Sequence, residues 1–145
     1  MRVRLVTLVA AVAAAAVAIV TVATAQSRAD GLPSYTSGYA KWPRLNAKPI
    51  RGGSPAHAGT KNVYASKRMQ GSKFPDGTVV VKTIVPPGAR YVAQVAVMRK
   101  TKGRWQFVEY RRPRPTARYA VLARGQVCVS CHVRARRSDY VFTAK

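Results

Sequence analysis

Acidic residues are nearly missing from this 145-residue chain. Asp30, Asp76, Glu109 and Asp139 are the four, against 26 lysines and arginines, for a formal net charge of +22. Any chemistry that needs a carboxylate base has only those four positions to draw on. Histidine is as scarce, with His57 and His132 alone, and cysteine stops at Cys128 and Cys131. A zinc centre would have to gather all four of these side chains, so that class is set aside. The length holds one small core and not two, and the sequence contains no internal repeat.

What is present begins with an export signal. Met1-Arg2-Val3-Arg4 leads into the apolar run Leu5 to Ala25, and no further charge occurs before Arg28. A charged start, an apolar stretch and the small-residue triplet Ala23-Thr24-Ala25 are the three zones of a signal peptide, with cleavage placed after Ala25. The run is also long enough to be a retained anchor, but it is built of Ala and Val and ends in a processing-type triplet. Cleavage sends residues 26–145 to the periplasm, touching the membrane only in transit. The mature chain loses two basic residues, keeps every acid and carries a net charge of +20. Inside a cell such a charge points first to nucleic acid. Export removes that partner, and the basic residues are spread along the chain. Anionic envelope surfaces, an acidic redox protein or an anionic substrate remain, beside a plain role in solubility.

Residues 26–59 are rich in Gly, Pro, Ser and Lys and read as an irregular arm, with one helical turn near Tyr39 to Trp42. Strands are expected at Asn62 to Ser66, at Thr78 to Val85 after the turn signal Phe74-Pro75-Asp76-Gly77, at Arg90 to Met98, and at Arg104 to Tyr110. The last two form a hairpin across Lys100 to Gly103. The prolines of Arg111 to Arg118 make that stretch a linker, and Ala117 to Arg124 reads as a short helix. The expected fold class is α+β, mainly β: a small antiparallel sheet with a few helices and a C-terminal haem-attachment segment.

That segment is Cys128-Val129-Ser130-Cys131-His132. Two thiols three residues apart can reach the two vinyl groups of one haem, and the adjacent imidazole then lies against the iron. The expected cofactor is therefore one covalently attached haem c, held by Cys128 and Cys131, with His132 as metal ligand. A redox-active or structural disulfide is the alternative use of such a cysteine pair. A Met or His on the other side of the iron would give an electron-transfer cytochrome, and an open position would give a protein that binds or transforms small molecules. Met69, Met98 and His57 are the side chains available. Met98 reads as core, while Met69 and His57 read as surface or packing residues.

The tail CVSCHVRARRSDYVFT, with Asp139 seven residues after His132, resembles the haem-binding end of the cytochrome P-460 family. Upstream, FPDGTVVVK (74–82) is similar to that family's strand ending in a lysine, and VAVMRK…GRWQFVEY (95–110) resembles the hairpin between them. The likeness makes residues 60–145 a P-460-like haem-binding domain. It implies a mainly antiparallel β fold, a homodimer and an open distal iron site. Members oxidise hydroxylamine, and the related cytochromes c′-beta bind nitric oxide and carbon monoxide. The likeness also makes Lys82 a candidate third tether, bonded through nitrogen to the haem edge. Read by itself, Lys82 is either at a solvated edge or in a pocket. The family's enzymes carry a proton-accepting carboxylate on the strand that here reads VAQVAVM, and that strand has no acid; Ala96 or a neighbour stands in its place. Glu109 on the next strand is the remaining catalytic candidate, though Phe107 and Trp105 beside it equally suit a core face. Asp139 is expected to order the tail by capping or by pairing with an arginine.

Overall fold

A computed structural model describes residues 27–52 and 54–143. The signal peptide, its cleavage point and the anchor alternative fall outside the described residues. Among the described residues no helix is long and apolar enough to cross a membrane. Five strands form one antiparallel sheet in sequence order: β1 (Thr60–Ala65), β2 (Val79–Val85), β3 (Gln94–Thr101), β4 (Arg104–Arg111) and β5 (Ala120–Arg124). A short helix, α1 (Gln126–His132), and a 3-10 stretch (Val133–Ser138) follow. The mainly β reading with a few helices therefore holds.

β2 is apolar on both faces because both are covered. Val79 and Val81 pack with Val95, Val97 and Tyr110 under Leu32, Tyr35, Tyr39 and Trp42 of the arm. Complete burial of Leu32 contributes about 2 kcal/mol to holding that arm down. On the opposite face Val80, Val63, Met98 and Phe107 pack against Val141, Cys128 and Val129, so the C-terminal segment is the second cover. The helical turn expected near Tyr39 is a 3-10 turn at Tyr39–Lys41. The arm then runs along β1 through bridges at Arg44↔Tyr64 and Ile50↔Lys61.

The expected helix at Ala117 to Arg124 is corrected: residues 120–124 are β5. Alanine and leucine favour a helix locally, but the open edge of β4 offers a ladder, and pairing from Val108↔Arg124 to Arg111↔Ala120 overrides that preference. β3 starts at Gln94 rather than Arg90, because Pro86 and Pro87 end its partner at Val85 and the register begins at Ile84↔Gln94. Gly125, at φ 68° and ψ −134°, makes the sharp passage from β5 into α1, a conformation costly for a residue with a Cβ.

Candidate functional site

α1 brings the predicted haem-attachment residues to the second face of the sheet. One turn of helix places Cys128 on the same side as Cys131 and His132. Both cysteines are free thiols, Cys128 half-buried and Cys131 exposed. Burial, then the charges of Glu109 and Cys131, push the Cys128 thiol above its usual range.

His132 is buried. Its Nδ1 lies 2.7 Å from the Tyr140 carbonyl oxygen, an acceptor only, so Nδ1 carries the proton and donates it. The Nε2 lone pair is thereby left for another partner. The ring is held between Phe107 and Phe142, at centroid distances of 4.7 and 5.3 Å. Burial, joined by repulsion from Lys82 and His57, pushes the His132 pKa down against the hydrogen bond to Tyr140. The shift favours the neutral imidazole, the state a metal needs.

Asp139 fixes the carbonyl that His132 uses. Asp139 and Tyr140 both take left-handed backbone angles, φ 51° and 66°. The Asp139 carboxylate Oδ2 accepts the Phe74 N–H at 2.8 Å and Lys100 Nζ at 2.7 Å. Lys100 Nζ also donates to the Phe74 carbonyl at 2.9 Å. Burial alone would raise the Asp139 pKa, but these hydrogen bonds outweigh it and hold the carboxyl below its ordinary value. The expected arginine partner is therefore corrected to Lys100, which reaches Asp139 from β3, whereas the tail's own Arg134, Arg136 and Arg137 stay exposed.

The sheet register assembles the remaining residues. Val63, Lys82, Ala96, Glu109 and Ala123 form one row across the five strands. Lys82 is buried at 9% exposure on an interior strand, so the solvated-edge reading does not stand. Burial pushes its pKa down to about 8, helped by Lys61 and opposed by Glu109. Its Nζ sits 5.6 Å from the centre of the Phe142 ring, which also touches His132.

Glu109 lies directly across from Ala96, with side chains on one face. A carboxylate thus stands one strand over from Ala96, about 10 Å along the row from Lys82. Glu109 also shares its face with Phe107, so it lies beside the core as well as toward the site. Its Oε1 is buried and has no hydrogen bond among the described residues, although His57 Nε2 approaches to 3.2 Å outside hydrogen-bond alignment. His57, from the 3-10 turn Pro55–His57 of the arm, is the residue that sequence reasoning missed as part of this group. Nothing local marks it; only the fold links residue 57 to residue 109. Met98 packs in the core as expected, and Met69 is exposed.

A search of the curated proteins and one of the solved structures each found no match. The family model described as Cytochrome P460 matches residues 36–143, from the arm through all five strands and α1 to the tail. The chain belongs to the cytochrome P460 family. It is a c-type cytochrome of that family, and haem c is the group its site should accommodate. The residues fit. Two thiols stand one helical turn apart beside an imidazole whose Nε2 has no hydrogen bond among the described residues, and Phe142, against the His132 ring, exposes 39% of its surface. Such apolar exposure beside free thiols is what a large apolar cofactor would cover.

Proposed function

We propose that this chain is an exported, periplasmic mono-haem cytochrome P460 that binds small nitrogen species and oxidises hydroxylamine. Cys128 and Cys131 would hold the haem as thioethers and His132 Nε2 would ligate its iron. When bound, the haem supplies the redox chemistry and a coordination position for the nitrogen ligand. The observation that carries the reading is Glu109, a buried carboxylate whose Oε1 lacks a hydrogen bond, in one row with Lys82.

Oxidation of hydroxylamine releases protons as well as electrons, and a base must stand in reach of the ligand. Glu109 supplies that base from β4 where Ala96 on β3 has none. This restores weight to turnover over gas binding alone. An open iron position is supported by the three side chains able to close it. Met98 is spent in the core, Met69 is exposed on a connection, and His57 is turned to Glu109. Lys82 is the candidate third tether: with its pKa lowered to about 8 by burial, part of its amine would be free to bond the haem edge, where replacing a ring C–H by C–N is a two-electron oxidation that would need an added oxidant such as a peroxide. The exposed Arg134, Arg136 and Arg137, directly after His132, favour an acidic redox protein as the electron acceptor. A homodimer is the assembly that family membership makes the working expectation.

The test is hydroxylamine oxidation by the purified haem protein with an artificial electron acceptor. Wild type should turn over, and Glu109→Gln should lose about 10²- to 10⁴-fold in kcat while still binding nitric oxide. Equal rates in the two proteins would remove Glu109 from the reaction.

A further inference from the structure

The His57 approach to Glu109 crosses from the arm to the sheet, and it is built from behind. Lys61, buried on β1, donates Nζ to the carbonyls of Gly52, His57 and Gly59, at 2.8 Å for His57 and 2.9 Å for Gly59. A charged donor with three carbonyl acceptors has every proton used. Gly52, His57 and Gly59 are therefore gathered around one side chain. The Ser54 side chain accepts the Ala56 N–H at 3.2 Å and caps the turn that presents His57. At the loop's end Gly59 passes so close to β2 that a Cβ there would stand 2.1 Å from the Val85 carbonyl oxygen. Lys61 shares its ladder with Ile50 through paired bonds of 2.9 Å, fixing the other end. This much fastening brings one imidazole to one buried carboxylate.

The two partners differ in access. The His57 side chain is 21% exposed and that of Glu109 10%. We infer that His57 is the proton outlet of Glu109, a positioning and relay residue that carries protons between the buried carboxylate and solvent. The inference rests on the functional reading above and deepens it. A proton released by the substrate would move to a Glu109 oxygen, then from the carboxyl to His57 Nε2, and would leave the imidazolium for water. No electron moves in these steps, and Glu109 and neutral His57 are regenerated. Other charged or titratable groups around the pair are Lys82 from β2, Lys61 from β1, and His132 and Cys128 from α1. Ala96 and Ala123, the Glu109 neighbours on β3 and β5, bring no charge.

Two measurements on the full haem-loaded chain test this. In redox-triggered infrared difference spectra, the carboxyl band that Glu109→Gln removes should shift in His57→Gln, and an unchanged band would overturn the pairing. In steady-state assays, His57→Ala should lose about 10- to 100-fold in kcat with the hydroxylamine KM unchanged, and raising the phosphate concentration should restore much of the loss. A structural role alone would not respond to a proton-carrying buffer, so an unrescued loss would overturn the relay. Should wild type lack turnover, the functional reading fails by itself, and the infrared band decides the pairing.

Discussion

Lys82 illustrates what one residue owes to its surroundings. In the sequence it is a lysine in a β-branched run, with an edge and a pocket equally open to it. The row that joins it to Ala96 and Glu109 depends on the register of three strands, and no local pattern encodes that. His57 is the extreme case, because 52 residues separate it from Glu109 and its Pro-rich loop looks like any other. His132 is the opposite case: the two preceding cysteines mark it as the candidate ligand, and the fold adds its burial, the hydrogen bond to Tyr140 and the ring contacts of Phe107 and Phe142. For Lys82 the expected outcome is a third covalent link. Tryptic mass spectrometry of the haem protein should find the Lys82 peptide joined to the haem peptide that contains Cys128 and Cys131. Recovery of a free Lys82 peptide, with the cysteines still attached, would leave Lys82 an ordinary buried amine.

Elements were legible where composition and pairing agree. β2 declares itself by its valines, and the β3–β4 hairpin by the polar turn at Lys102-Gly103. β5 was hidden, because its alanines and leucine favour a helix while the bare edge of β4 demands a strand. The tail was half legible: Asp139 marked it, but its partner Lys100 lies on β3, 39 residues away. That buried pair ties the tail, and with it the Tyr140 carbonyl, to the sheet. Asp139→Asn would leave the Lys100 charge buried without its counter-charge, at a cost on the order of 3 kcal/mol. Denaturant unfolding should register that loss. The pH dependence has a definite sign. The folded Asp139 pKa lies below its ordinary value, so its stabilisation is complete above the unfolded carboxylate pKa of about 4. It is lost as pH falls through the lower folded value. Wild type should therefore lose stability below about pH 4 more steeply than Asp139→Asn, and parallel acid limbs would contradict the assignment.

For the whole molecule, the scarcity of acids sets the long-range field. With 26 basic residues and four acids, the chain carries a strongly positive field, and Arg134, Arg136 and Arg137 add exposed charge two to five residues after His132. Electron transfer to an anionic acceptor such as ferricyanide should slow several-fold between about 10 and 200 mM salt, where the screening length falls from roughly 30 Å to below 10 Å. Changing those three arginines to glutamine should flatten the dependence, and an unchanged salt slope would place docking elsewhere. The central claim concerns the iron, and the visible spectrum of the reduced protein with and without carbon monoxide tests it most directly. The account predicts a high-spin ferrous haem whose bands shift on adding the gas. A six-coordinate low-spin spectrum that ignores carbon monoxide would contradict it, and would return the chain to the role of an electron carrier.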